Sequence, residues 1–416
     1  MNSYNNLNYD GKLSYAETVL LFFGFIYFNQ SIMFRELFSA TQRIIFSLAL
    51  FFTIILRSIL FHKVTFKKNG NTITICLTLL ICIALSCIAN GFNLTFDLYT
   101  TLLLILCFFL VSVTKFEYFV DAYISIMSFL GITSVFLFIL YIIMPGLFDI
   151  FPSYVWHGGI YVKNAFLCVV STSSQNKRNF GIFVEPGNYA LYLNIAMYMI
   201  FFLKKNLDIK KATCLLVTIG TTLSTNGYIT CGLLIFAYLL KIEKFNKKEK
   251  KRMIYIIFFF VAAIYFLLKT NPSMQNFLLG KFDEINVKGT IDSNKTGSGY
   301  ERWRSVVYAW ETFLSSPIFG VAATGWQKKF ENIIGTATPL NWLGLYGLAY
   351  GSILNFLYIK AFSIPKEEKL TLPKIIVLIA MYFNILSQNV STDIIIFMIV
   401  LYATEFIKKG PISAND

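Results

Sequence analysis

The chain has 416 residues, of which 56% are hydrophobic, 17% aromatic and only 14% charged. A soluble domain of this length needs far more charge to wet its surface, so the composition excludes an ordinary globular protein and indicates a membrane protein. The formal charge of +14 does not by itself imply a nucleic-acid partner. Its basic residues gather in short connections between apolar runs, as the positive-inside pattern requires.

Apolar runs close to the roughly 20 residues that a helix needs to cross a bilayer recur along the whole chain. In order they are expected near 14–34, 42–61, 72–90, 96–114, 119–145, 186–203, 211–225, 227–241, 253–269, 339–361, 373–389 and 392–407, making about twelve spans. This reads as an all-α polytopic membrane protein, one integral membrane domain over 1–416. The start, "MNSYNNLNYDGKLSYAE", lacks the basic-then-apolar order of a cleaved signal peptide. The pair of runs around "TTLSTNGYIT" is short and reads as a tight hairpin or a broken helix. Its Ser224, Thr225, Asn226 and Gly227 would line a cavity or bond between helices.

Lysine-rich connections such as "HKVTFKK" and "KIEKFNKKEKKR" fall on one side when the number of spans is even. That side is expected to be the cytoplasm, with both termini there. Two long polar segments, 146–182 and 270–338, then form large outer-face loops. No internal repeat is visible, which counts against the inverted-repeat plan of many transporters. The cysteines lie mostly within apolar runs and show no CxxC or Cys/His spacing, so no metal site, cofactor or disulfide framework is expected. Asp283, Glu284 and Asp292 keep a weak metal alternative open.

Arginine is scarce against many lysines: Arg35, Arg43, Arg57, Arg178, Arg252, Arg302 and Arg304 are the complete set. Three of them, Arg178, Arg302 and Arg304, fall in the two large outer loops. The planar fork of arginine grips phosphate or carboxylate bidentately, which lysine cannot do.

The stretch "KRNFGIFVEPGNYALYLNIAMYMIFFL" (177–203) places Arg178 and Glu185 at the doorstep of a span. Pro186 suits the first position of a helix. The helix N-terminus over Pro186 and Gly187 would favour an anion, and Arg178 could reach the same place. The plainer alternative is an arginine snorkelling to lipid headgroups beside a punctuated helix start. A second stretch, "GSGYERWRSVVYAWETFLSSPIFGVAATGW" (297–326), predicts an amphipathic helix from about Tyr300 to Leu314, ended by Ser315-Ser316-Pro317. Trp303, Val307, Trp310 and Leu314 recur at helical spacing, as in an interfacial helix. His157, a lone loop histidine, reads as ordinary surface or as a base. Trp156, Tyr161, Tyr300 and Trp303 would stack on sugars or anchor at the interface.

Taken together, these stretches resemble the bacterial polysaccharide polymerase and O-antigen ligase superfamily (Wzy/WaaL-like, with GT-C-like architecture). The Arg-x-x-Gly-x-Phe-x-Glu-Pro pattern at 178–186 and the Arg-to-Pro-x-x-Gly pattern at 302–320 carry the resemblance as a pair. It implies a metal-independent, inverting glycosyltransferase at the outer face of the bacterial cytoplasmic membrane. The implied substrates are oligosaccharide units on undecaprenyl diphosphate, and the implied product is O-antigen or capsule. A chain-length regulator, a flippase and membrane lipids would be its partners. Arg178 and Arg302 would hold the donor diphosphate, with Arg304 a second candidate for the latter role. Glu185 matches the glutamate before proline, as base or as a group that aims Arg178. Pro186, Gly187, Trp303 and Asn341 are further substrate-binding candidates. Ligases of this superfamily carry a histidine beside asparagine after the large loop. Here "TATPLNWLGLYG" has none, which favours polymerase over ligase. A lipid-linked oligosaccharide flippase is the reading from another class.

Overall fold

Most of the apolar runs cannot leave backbone N–H and C=O groups unpaired in hydrocarbon, so they close their hydrogen bonds locally as helices. The computed structural model describes residues 13–61, 70–93, 95–156, 160–172, 177–241, 255, 298–329, 335–363 and 370–404. It is mostly helical. In chain order the helices are α1 (Tyr15–Gln30), α2 (Ile32–Leu37), α3 (Ala40–Phe61), α4 (Gly70–Asn90), α5 (Phe96–Val113), α6 (Phe116–Ile143), α7 (Pro186–Tyr198), α8 (Ile209–Thr222) and α9 (Thr225–Lys241). They continue with α10 (Ser298–Ser315), α11 (Ala322–Lys329), α12 (Thr338–Ala361), α13 (Leu372–Leu386) and α14 (Ile394–Ala403).

Each expected apolar run coincides with helix except 253–269, which lies outside the described residues, as do His62, His157, Arg252, Asp283, Glu284 and Asp292. Four helices, α4, α5, α6 and α12, are long and apolar enough to cross a membrane. Several such helices in one chain make this a multi-pass membrane protein. The "TTLSTNGYIT" run resolves as two helices, α8 and α9, joined through Leu223 in the left-handed conformation (φ 49°) and Ser224.

Helix α7 sits at the centre. From Pro186 to Tyr198 every residue but Glu185's near neighbour Asn188 is buried, and a helix enclosed on all sides is expected to be apolar all round. Its tyrosines bond outward to other elements: Tyr189 to Ser134 Oγ at 2.9 Å and Tyr198 to the Ala361 carbonyl at 3.3 Å. Helix α9 approaches α7 closely at Gly227, where a Cβ would stand 2.6 Å from Ala190 Cβ.

An all-α expectation is incomplete in one place. Between α6 and α7 lies a three-stranded antiparallel sheet, β1 (Ser153–Trp156), β2 (Ile160–Asn164) and β3 (Val169–Ser171), in the order β1-β2-β3. Tyr154 pairs with Val162, and Val162 with Ser171. The segment had been read only as a polar loop, although short β-branched and aromatic runs around "WHGG" carry a hairpin signal.

Helix α12 is broken at Tyr346–Gly347, where Gly347 has φ 84°. Backbone from the 317–321 segment fills the break: Leu348 N donates to the Pro317 carbonyl at 2.8 Å, and Val321 N to the Gly344 carbonyl at 3.0 Å. The approach is so close that a Cβ on Gly320 (φ 72°) would lie 2.4 Å from the Leu345 carbonyl oxygen. The Pro-x-x-Gly part of the second motif therefore packs a broken helix rather than presenting chemistry.

Candidate functional site

The extended segment 177–185 delivers Arg178 and Glu185 to the start of α7. It is held on several sides. Asn179 N donates to the Thr221 carbonyl at 3.0 Å, while Asn179 Nδ2 reaches Ser134 Oγ at 3.1 Å and Thr221 Oγ1 at 2.9 Å. Val169 N of β3 donates to the Gly181 carbonyl at 2.7 Å, and Ile32 N, at the break between α1 and α2, to the Ile182 carbonyl at 3.1 Å. Gly181 has φ 54°, and the Tyr189 ring lies 2.6 Å from where its Cβ would be. Only glycine fits there. Phe183 stacks on Tyr189 with centroids 5.0 Å apart. Thus the glycine and the aromatic of the first motif set the path, and the arginine at one end and the glutamate at the other are what they position.

Arg178 is clamped by main chain. Its Nε donates to the Thr222 carbonyl at 3.0 Å and its Nη2 to the Leu223 carbonyl at 2.9 Å. These are carbonyls that the end of α8 leaves over. The guanidinium is held by this turn, and Glu185 acts on it as an opposite charge. Glu185 is the N-cap residue of α7, with Pro186 at the first helical position.

Arg302 arrives on α10. The buried face of that helix is Ser305, Ala309, Thr312 and Phe313, and residue 302 continues the same stripe at helical spacing. Small side chains let α10 lie close on α12, with Thr312 Cγ2 3.5 Å from the Cβ position of Gly344. Arg302 Nη2 comes within 3.4 Å of the Cβ position of Gly187, at the N-terminus of α7.

Arg178, Arg302 and Glu185 therefore share one neighbourhood: Arg178 feels the other two charges, and Arg302 feels Glu185. Burial lowers the Arg178 pKa to about 10; Tyr228 and Glu185 oppose the shift, and Arg302 adds to it. Burial likewise pulls Arg302 down, against the pull of Glu185. Two desolvated cations at a helix N-terminus form a strongly anion-seeking site.

Polar contacts link the two arginines around the pocket. From the Thr222–Leu223 turn that holds Arg178, α9 begins, and Asn226 Nδ2 reaches Ser387 Oγ at 2.5 Å. The next residue, Gln388, puts its Nε2 2.5 Å from the Gly187 Cβ position, beside Arg302. Nothing in the sequence reading singled out Gln388. Its signal was the polar run "SQNVSTD" (387–393) wedged between two apolar helices.

The remaining expected residues divide. Pro186 and Gly187 are buried at the site. Asn341 is buried and gives its Nδ2 to the Gly335 carbonyl at 2.8 Å; it joins the site only indirectly, through the first turn of α12 that pairs with Gln388. Arg304 does not join it. It pairs with Glu301 at 3.4 Å on its own helix and lies 5.9 Å from the Tyr308 ring centroid. Trp303 is 52% exposed, with Trp310 and Leu314 exposed on the same side. The tryptophan face thus points away from the pocket, as an interfacial helix requires. Tyr161 is exposed on β2.

What fold and site define is a multi-pass helical membrane protein with a partly buried cationic cluster near a helix N-terminus. Compared with protein-family models and with curated proteins, the chain matches none.

Proposed function

We propose that the protein is a polysaccharide polymerase that moves a growing glycan from undecaprenyl diphosphate onto a lipid-linked repeat unit, at the outer face of the bacterial cytoplasmic membrane. In this reading the chain crosses the bilayer about twelve times, with both termini cytoplasmic and the 146–182 and 270–338 segments outside, in a GT-C-like plan. One observation carries it: Arg178 and Arg302, from distant parts of the chain, converge on the N-terminus of α7. Such a clamp suits the charge of a diphosphate leaving group.

The acceptor hydroxyl oxygen attacks the anomeric carbon of the donor from the side opposite the diphosphate. The new carbon–oxygen bond forms as the bond from that carbon to the diphosphate oxygen breaks, and the electron pair leaves on the diphosphate. The guanidiniums and the free N–H groups of α7 stabilise that charge. The hydroxyl proton passes to a carboxylate, the role assigned in this reading to Glu185. Inversion at the anomeric carbon follows.

The test is Arg178→Lys and Arg302→Lys in the producing cell, with surface polysaccharide run on a gel. Each substitution keeps the charge and removes the fork, and removal of one such stabilising group costs about a hundredfold or more in rate. Polymer should collapse to single repeat units in both strains. Unchanged polymer in both overturns the proposal. Loss of capped lipid A would identify a ligase, and lipid-linked units trapped inside would identify a flippase.

A further inference from the structure

The pocket has a third donor. Gln388 lies in the turn between α13 and α14 and is 1% exposed. Its main chain is fixed: Thr338 Oγ1 donates to the Gln388 carbonyl at 2.6 Å and accepts from Val390 N at 2.8 Å, while Gln388 N donates to the Ile385 carbonyl at 3.3 Å. That frame directs the side chain at α7. Gln388 Nε2 lies 2.5 Å, and Arg302 Nη2 3.4 Å, from the same point above Gly187. The Gln388 Nε2 has no hydrogen-bond partner although it is buried. Leaving a buried amide donor unpaired is costly.

What Nε2 faces is mostly donors, the Glu185 carboxylate and the unpaired Asn188 Oδ1 being the acceptors in the same turn. The guanidinium of Arg302 has no acceptor to offer. In the first turn of α7, Pro186 carries no N–H, and the Gly187 and Asn188 N–H groups have no intrahelical partner. Three elements, α7, α10 and the 387–393 turn, thus aim donors at one place from different directions. A phosphoryl group, with several non-bridging oxygens, can accept from all of them at once. Glycine at 187 is what leaves room, since a methyl there would stand against both nitrogens.

We propose that Gln388, Arg302 and the first turn of α7 form one phosphoryl-oxygen pocket, with Gln388 Nε2 donating to a non-bridging oxygen. The ligand class is a phosphate ester or diphosphate. The proposal deepens the polymerase reading and rests on it for the natural ligand.

The experiment measures binding of farnesyl diphosphate, inorganic pyrophosphate and farnesol to the full-length protein in nanodiscs of phosphatidylcholine, with and without phosphatidylglycerol. Both diphosphates should bind and farnesol should not. Gln388→Leu, which keeps the volume, should weaken diphosphate binding roughly tenfold or more, as loss of a hydrogen bond to a charged group does. Gln388→Glu should weaken it further by placing a carboxylate against the anion. The thermal midpoint of each variant should stay near that of the wild type, and Asn389→Ala, at the exposed next residue, should bind normally. Competition by phosphatidylglycerol with the same Gln388 dependence would keep the pocket and name a lipid headgroup as its source.

Two results overturn the pocket. Gln388→Glu binding as well as wild type would mean that the side chain accepts from α7 rather than donating to a ligand. Gln388→Leu binding as well as wild type would mean that it contributes nothing. The two proposals fail separately. If Gln388→Leu loses diphosphate binding while Arg178→Lys and Arg302→Lys cells both still make full polymer, the pocket stands and the polymerase reading falls. If Arg302→Lys abolishes polymer while every Gln388 variant binds normally, the reverse holds.

Discussion

Two buried polar regions touch α7, and they are built in opposite ways. Near its middle, Asp393 gathers donors around a carboxylate: Gln30 Nε2 at 2.5 Å, the Tyr192 hydroxyl, and the N–H groups of Ile395 and Ile396 at 2.9 and 3.0 Å. Asp97 is treated alike by Tyr346 at 2.8 Å, Asn93 N at 2.8 Å and Ala323 N at 3.3 Å. At the N-terminus of α7 the balance shifts, and Arg178, Arg302, Gln388 and free N–H groups outnumber the acceptors there, the Glu185 carboxylate and Asn188 Oδ1. A region whose donors and acceptors balance is architecture, since it lowers the cost of burying polar groups. A region with surplus donors gains from an added anion.

The largest effect expected from that contrast is on stability at Asp393. Asp393→Ala removes the cap of α14 and leaves the Gln30 amide and Tyr192 hydroxyl without their shared acceptor. A lost cap costs about 1 kcal/mol, and stranded buried donors add about 1–3 kcal/mol each. A fall of about 3 kcal/mol or more is expected, read as a lower thermal midpoint in detergent. Arg302→Lys should move that midpoint little, because its role lies toward a ligand. If the arginine variant proves the less stable of the two, the division between architecture and site is wrong.

A smaller effect separates affinity from folding. Burial holds the Arg178 pKa at about 10, below its ordinary range, and a bound anion pulls it back up. Binding is thus coupled to proton uptake above that pH. Affinity for farnesyl diphosphate should be flat from about pH 7 to about pH 9 and fall above about pH 10, by up to tenfold per unit. For folding the sign differs. A base with a lowered folded-state pKa carries a burial cost below that pKa, and the cost is relieved as pH rises through it. Arg178 therefore gives no reason for the fold to weaken in the window where affinity drops. Titration of binding and of thermal midpoint over the same range checks both halves.

The ease of reading the two regions from sequence also differed, for a physical reason. The apolar runs, the helix start at Pro186 and the end of α10 at Ser315 are set by local chemistry, and the residues showed them. The neighbourhood of Arg178 and Arg302 was reached through scarce arginines and motif spacing. Gln388 was not legible, because its role depends on Thr338 fixing its main chain and on Gly187 opposite, both remote in the chain. The three-stranded sheet was missed because its strands are short and lie in a segment that reads as a polar loop. The break in α12 was missed because Gly347 alone does not reveal that backbone from 317–321 fills it. The choice between Arg302 and Arg304, by contrast, was open to inspection: residue 302 continues the stripe of Ser305, Ala309 and Thr312, and residue 304 does not.

That choice gives the smallest effect and the finest test of the comparison. Arg304 finds its contacts on its own helix, with Glu301 three residues before it and Tyr308 four residues after, although its Nε is buried without a hydrogen-bond partner. Helical neighbours of this kind are worth about 0.2–0.5 kcal/mol, and a cation over a ring at a partly exposed position about 0.5–1 kcal/mol. Arg304→Ala should accordingly cost no more than about 1.5 kcal/mol of stability and leave polymer length within about twofold, where Arg302→Lys two residues away removes polymer. Equal loss in the two strains would mean that α10 turns a different face to the pocket. It would also detach Arg302 from Gly187 and Gln388, the contact on which the surplus of donors depends.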